Sequence, residues 1–261
     1  MLKVSMKRLI KQLAYGIFYA VVIAAVVVPT YYIFIRPAPS CTDQIRNQSE
    51  EGVDCGGPCK RACVPSDIRG LETVSVPQAF APKRGVFSVI ARIQNPNLAF
   101  AARQFTYTFR IFDIAGSVTE LSGVSHSYAG EVKYITSIDT SGAINIHPAR
   151  IARIEVVFSN PTWVPASEFA KPSLRMQEFQ ASSDHADITT TGKIINEDAL
   201  DFRRITLVAI LYGRFGQIVG FGQTNIDNVR SNEIRQFSII HPVVEDVVAS
   251  STQVIIIPPA R

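Results

Sequence analysis

The chain has 261 residues, of which 47% are hydrophobic and 18% charged. This balance excludes a disordered protein and suits a globular one with a membrane segment. The formal net charge is +4, but Lys3, Lys7, Arg8 and Lys11 precede the first acid, and the other 22 basic residues match 22 acidic ones. Because no basic footprint remains in the body of the chain, we predict no nucleic-acid partner.

Residues 12–35 carry no charged side chain and predict a transmembrane helix behind a cytoplasmic tail at residues 1–11. At ~1.5 Å per residue the segment spans roughly 36 Å, enough to cross a hydrocarbon core of about 30 Å. The four cations precede the span, so the positive-inside rule places the N-terminus in the cytoplasm and the rest of the chain outside. A cleaved signal peptide, or a lipoprotein cleavage site before Cys41, is the alternative. An uncleaved anchor fits better, because the apolar run is long and Ala38 stands where a lipoprotein signal has an aliphatic residue.

Residues 36–66 are predicted to form a stalk that holds all four cysteines, Cys41, Cys55, Cys59 and Cys63. Outside the cytoplasm such cysteines form disulfides, and three pairings are possible. A zinc site is the competing interpretation, although zinc modules usually have two close cysteine doublets. Here thirteen, three and three residues separate the cysteines. No Cys-x-x-Cys motif supports a redox role.

The same stalk contains oxygen-bearing side chains that could bind calcium, namely Asp43, Asn47, Glu50 and Asp54. Calcium prefers such oxygens, but their spacing is not that of an EF-hand loop. Turn formation and solvation explain the same residues. We therefore assign no metal and no cofactor, and keep the four as weak calcium candidates.

The stalk resembles a cysteine-rich motif of bacterial cell-surface and secreted proteins that contains the run Asp-Cys-Gly-Gly-Pro-Cys. The matching positions are Cys41, Asp43, Ile45, Asn47, Glu50, residues 52–58 and Cys59. Cys63 departs from the motif by one residue. The resemblance implies a location in the cell envelope and no particular reaction.

Beyond the stalk the chain is an internal repeat of strand-like runs. Phe105–Ile111 alternates apolar and polar residues, which predicts a strand with Phe105, Tyr107, Phe109 and Ile111 on one face. The copies align through Asn95 with Asn196, Arg103 with Arg203, Phe105 with Ile205, Phe112 with Tyr212, Gly116 with Gly216, and 130–135 with 232–237. A repeat of about 100 residues predicts a mainly β protein with two tandem β-sandwiches of about seven strands each. They occupy residues 67–165 and 170–261.

The repeated motifs resemble those of two related domain families. Leu211-Tyr212-Gly213 is similar to the FxLYD domain, with Gly213 in place of the usual Asp. Asn95-Pro96-Asn97 is similar to late-embryogenesis-abundant type 2 domains. The resemblance implies immunoglobulin-like or fibronectin-like sandwiches on a bacterial surface and brings no enzymatic activity.

No catalytic constellation is evident around the histidines, His126, His147, His185 and His241. His147 and His241 each lie between an Ile and a Pro, and we interpret them as turn residues at comparable places in the two copies. Ser125-His126 and the segment 184–187 supply the residue types of a triad, but only geometry makes one. Trp163 is predicted to be a packing residue at the domain junction.

The sequence thus predicts a non-catalytic, membrane-anchored extracytoplasmic binding or scaffolding protein of the bacterial envelope. Its expected partners are the membrane, through residues 12–35, and an envelope protein or glycan. The alternatives are a structural spacer, a homo-oligomeric envelope component and, last, an envelope enzyme.

Overall fold

The computed structural model describes residues 6–32, 40–144, 146–184 and 186–259. The chain divides into two compact units, Met1–Cys63 and Val64–Arg261. The described residues form one N-terminal α-helix, thirteen strands and three short 3-10 helices, so the predicted mainly β class is confirmed.

Helix α1 runs Met6–Thr30, and its segment Arg8–Thr30 is long and apolar enough to cross a membrane. Its described side chains are exposed all round, which is the pattern of a helix that meets lipid or is a signal sequence. Pro29 lies in the last turn and removes one helical amide donor, which membrane helices tolerate. The predicted span 12–35 starts inside α1, and its last three residues lie outside the described part of the chain.

The second unit is built from thirteen strands. Seven belong to the first copy of the repeat: β1 Glu72–Thr73, β2 Gln78–Lys83, β3 Val86–Gln94, β4 Phe100–Asp113, β5 Val118–Ser127, β6 Val132–Asp139 and β7 Ile151–Pro165. Six belong to the second: β8 Leu174–Ser183, β9 Asp187–Asn196, β10 Phe202–Tyr212, β11 Ile218–Val229, β12 Ile234–Pro242 and β13 Gln253–Ile257. Among the described residues each copy therefore has seven or six strands, close to the number predicted.

The strands form four antiparallel sheets, two in each copy. The outer sheet of the first copy has the order β5-β4-β7, and its inner sheet joins β1, β2 and β6 to β3. The inner sheet of the second copy has the order β11-β10-β13, and its outer sheet the order β12-β9-β8.

Each pair of sheets encloses its own apolar core. Phe87, Val89, Ala91 and Ile93 of β3 pack on Phe105, Tyr107, Phe109 and Ile111 of β4, so the predicted inward face of β4 is confirmed. The second core has the equivalent composition, with Ile194, Ile205, Leu207, Phe237 and Ile239 buried together. Trp163 is half-buried against the first core, which agrees with its predicted packing role.

A third apolar layer joins the two inner sheets face to face, and we call it the seam. Ile90 of β3, Val208 and Ile210 of β10 and Phe221 of β11 are buried there. The rings of Phe80 and Phe221 meet edge to face at 6.3 Å between centroids. Across the same layer Thr136 Oγ1 donates a hydrogen bond of 3.1 Å to Gln223 Oε1. Residues 64–261 are therefore one four-layered body.

The repeat is confirmed in atomic detail by two buried asparagines. Asn95 Nδ2 donates to the carbonyls of Phe100 and Tyr128, and its Oδ1 accepts the Asn97 amide. Asn196 Nδ2 donates to the carbonyls of Leu200 and Arg230, and its Oδ1 accepts the Asp198 amide. In both copies one side chain ties the end of a strand to two neighbouring turns.

The histidine correspondence between the copies is wrong. His147 precedes a short 3-10 turn at Pro148–Arg150, and its Nδ1 accepts the Ala149 amide. His241 instead lies inside β12, whose counterpart in the first copy is β6. The Ile-His-Pro sequence therefore precedes a turn in the first copy and lies in a strand in the second.

Candidate functional site

A cavity of about 560 Å³ opens where the two sandwiches meet, at the end of the seam. The first sandwich contributes residues of β3 and β6, and the second contributes Tyr212, the start of β8 and all of β13. Strands β6 and β13 each pair on one side only in the sheets described, so the cavity opens beside two sheet edges. Ligand sites form preferentially at such domain junctions.

The charged groups around the cavity are mostly cationic. Arg92, Lys133 and Lys171 line it together with one carboxylate, Glu131. Glu131 Oε1 forms an ion pair of 3.1 Å with Lys171 Nζ. Its Oε2 accepts the Tyr128 amide at 3.0 Å. The carboxylate is therefore already satisfied by the protein, while Arg92 forms no ion pair with any residue that the structure describes.

Lys133 is a buried cation in the cavity wall. It alternates with Tyr134 along β6 and occupies an inward position, next to the buried Ile135. Its Nζ donates to the His126 carbonyl at 2.9 Å and to Ser125 Oγ at 3.3 Å. Burial lowers the pKa of Lys133 to about 8, with Glu131 opposing the shift and Lys171 adding to it. The ammonium form still predominates at neutral pH.

His126 lies behind Lys133, with its ring edge-to-face against Tyr128 and Phe169. Burial, and then the charges of Lys133 and Lys171, lower the pKa of His126 to about 3, against a hydrogen bond with the Pro258 backbone. The ring is therefore neutral at pH 7. Its Nε2 is buried and has no hydrogen-bond partner.

These residues do not form a nucleophile–base pair. Ser125 Oγ donates to the His126 carbonyl and accepts from Lys133, so the hydroxyl is not directed at the imidazole. His185, the other histidine of the triad hypothesis, lies outside the described residues. The neutral polar groups of the cavity are the phenols of Tyr134 and Tyr212 and the amide of Gln253.

The two phenols lie close together at the cavity wall. Burial raises the pKa of Tyr212, and its hydrogen bond with Tyr134 contributes, whereas the charge of Arg92 opposes the rise. The Tyr212 hydroxyl also donates to Gln253 Oε1 at 3.3 Å. Arg92 and Tyr134 are directly opposite each other on β3 and β6, which puts guanidinium and phenol on one face of the sheet.

The remaining wall of the cavity is apolar. Leu174, Met176 and Ile255 line it, together with Ile257 and Pro258. Sequence reasoning missed the cavity, because it forms only when the two copies pack against each other. One signal was available: Lys133 interrupts the buried alternation of β6, where an apolar residue is expected.

The cysteine segment forms two disulfides, Cys41–Cys59 and Cys55–Cys63, so the predicted oxidation is confirmed. Glu50 lies beside Cys41 and Cys59 in a group that could hold a metal ion by distance. Both sulfurs are consumed by the disulfide and do not provide the thiolates that zinc prefers. The zinc interpretation is therefore wrong for these cysteines.

The calcium candidates are engaged within their own loop. Asp43 accepts from the Ile45 amide and from Asn47 Nδ2, and the Asn47 bond is the main reason that its pKa is lowered. Glu50 Oε2 accepts the amides of Asn47 and Asp54. Asp54 accepts the Gln44 amide. These bonds account for the acids as loop-forming residues, and the four stay untested as calcium candidates.

No protein-family model matches the chain, and no curated protein matches it. Among solved structures, Bacteroides uniformis beta-glucuronidase 2 is 12% identical, with a TM-score of 0.25 over 67% of this chain and 28% of that one. Red sea bream transglutaminase is 12% identical, with a TM-score of 0.22 over 72% of this chain and 31% of that one. The chain thus spans less than a third of either protein, and likenesses of this size carry no argument about function.

Proposed function

We propose that the chain is a non-catalytic, membrane-anchored binding protein of the bacterial cell envelope, and that the cavity between its sandwiches holds the ligand. The cavity carries this proposal, because it is lined by both sandwiches and combines a buried cation with phenols and an apolar wall. Pockets of this size and make-up are typical of ligand sites.

The location outside the cytoplasm is supported by three features. Helix α1 is long enough to span a bilayer, four cations precede residue 12, and the segment that follows carries two disulfides. Disulfides persist in oxidising compartments and are rare in the cytosol. The resemblance of the stalk to bacterial surface proteins agrees with the same location.

The seam favours a second candidate function, that of a rigid spacer. Its buried residues fix the two sandwiches as one body, which would hold a partner at a set distance from the membrane. A spacer needs no ligand in the cavity, so the two functions make different predictions for the occupancy of the cavity.

Topology is tested with reporter fusions in cells. An alkaline phosphatase fused after Arg261 should be active, because the enzyme needs an oxidising compartment, and the same reporter fused after Lys11 should be inactive. An inactive C-terminal fusion combined with an active cytoplasmic reporter at the same place would overturn the envelope location.

Ligand occupancy is tested by native mass spectrometry of the full-length chain released from detergent. We expect part of the population to carry the added mass of a small molecule. That mass should be lost in Met176→Trp, which fills the cavity, and retained in Ile240→Trp on the exposed face of β12. If the native protein carries no added small-molecule mass, the result supports the spacer function instead.

A further inference from the structure

We propose that the ligand of the cavity is a small organic anion, with a carboxylate or phosphate head group held by Arg92 beside the hydroxyls of Tyr134 and Tyr212, and an apolar body against Leu174 and Met176. This inference rests on the proposed binding function. It adds the chemical class of the ligand, which nothing in the sequence motifs indicated.

The charge balance of the cavity is the first argument. Three cations line it and one carboxylate is present, and both oxygens of that carboxylate are occupied by Lys171 and the Tyr128 amide. Arg92, which is exposed, therefore remains without a carboxylate partner within the described structure. An anionic ligand would supply that partner, because a guanidinium pairs well with a carboxylate or phosphate.

The second argument is the supply of hydrogen-bond donors. A guanidinium has five N–H donors in a plane that matches a carboxylate or phosphate. The hydroxyls of Tyr134 and Tyr212 lie beside Arg92. An anionic head group would accept from these three side chains, whereas a cationic one would meet repulsion from Arg92.

The third argument is the shape of the opposite wall. Leu174, Met176 and Ile255 present hydrocarbon to the same cavity. Inorganic anions leave such a wall in contact with water, whereas an organic anion covers it and gains roughly 25 cal/mol for each Å² of apolar surface removed from water. Free phosphate alone should therefore bind weakly.

The test compares phenylacetate with the neutral, equally shaped phenylacetamide, and with inorganic phosphate. Each probe is titrated calorimetrically into the full-length chain in detergent, with detergent alone as blank. We expect phenylacetate to bind at least about tenfold more tightly than the amide, since one charge-assisted contact provides about this factor. Arg92→Gln should reduce its affinity about tenfold, and Arg110→Gln, on the outer sheet, should not change it.

The outcomes separate this inference from the proposed function. Equal affinity for phenylacetate and the amide, or no binding of either anion, overturns the anionic class but leaves the occupancy test by mass spectrometry standing. Binding of phosphate together with phenylacetate supports the inference and indicates a phosphate head group. An unchanged affinity of Arg92→Gln for phenylacetate would overturn the role given to Arg92.

Discussion

At the residue scale, the two copies are held by the same device, a buried asparagine at the end of a strand. Removing the Asn95 or Asn196 side chain removes its two hydrogen bonds to backbone carbonyls and the one that it accepts from a backbone amide. We expect Asn95→Ala and Asn196→Ala each to lower the free energy of unfolding by about 3 kcal/mol. Urea denaturation of the detergent-solubilised chain measures this, with the exposed Asn225→Ala as control. A loss below about 1 kcal/mol in both would contradict the role given to the asparagines.

His126 makes stability sensitive to acid. Its pKa is about 3 in the folded chain and 6.5 when exposed, so below pH 6.5 the unfolded chain takes up a proton that the folded chain excludes. The free energy of unfolding should fall as pH falls from 6.5 towards 3, with about 2 kcal/mol of the loss at pH 5 due to this ring. His126→Phe should remove this contribution to the acid sensitivity. His147→Gln, at an exposed histidine, should leave it in place. Equal acid sensitivity of His126→Phe and the native chain would show that the ring is not excluded from water.

At the element scale, the seam explains the composition of β3 and β10. In these strands adjacent residues such as Val89 and Ile90 are both buried, one in the core of its sandwich and the other in the seam. Strands covered on both faces have apolar residues on both. The tandem repeat predicted two sandwiches but not that they stack on each other. A strand buried on both faces differs from a strand buried on one face by only a few apolar side chains, so the sequence does not separate the two cases.

Substitution of Phe221 tests whether the seam stabilises the folded body. We expect Phe221→Ala to lower the free energy of unfolding by about 3–4 kcal/mol, since a fully buried aromatic ring is replaced by a cavity. Ile240→Ala, 64% exposed on β12, should change it by less than about 0.5 kcal/mol. Equal small effects of the two substitutions would mean that the sandwiches are independent.

The disulfide segment gives a prediction about pairing, which the sequence left open among three possibilities. Partial reduction with differential alkylation and fragment mass spectrometry should recover Cys41 with Cys59 and Cys55 with Cys63. The paired cysteines are 18 and 8 residues apart in sequence. Loss of the disulfide that closes the longer loop should therefore destabilise the segment more. Recovery of a Cys41–Cys63 pair would contradict the structure.

The sequence was informative wherever the signal is local. Alternation in β4, the repeated asparagines and the apolar run of α1 each indicate structure within a few residues. The inward face of β4, the repeat and the helix itself are confirmed, whereas the crossing of a membrane by α1 stays a prediction. The cavity could not be derived this way. Arg92 and Lys133 lie in one inner sheet and Gln253 in the other, so they line one cavity only because the two inner sheets pack together. The Ile-His-Pro motif misled for the opposite reason, because similar letters need not share a structural context.

At the scale of the whole molecule, the two sandwiches form one four-layered body, and we propose that this body holds a ligand where its two halves meet. A single change to this body, filling the cavity, should leave the fold intact and remove the ligand. That separation of folding from binding distinguishes a binding protein from a spacer.

The most direct measurement places a photoreactive benzoyl-phenylalanine at Tyr212, in the cavity wall, and irradiates living cells. The matched control carries the same group at Phe215, which is 91% exposed in the neighbouring turn. We predict a small-molecule adduct, detected as added mass on the purified chain, at position 212 and not at 215. Identical adduct patterns at both positions, or none at 212, would contradict the assignment of the cavity as the functional site.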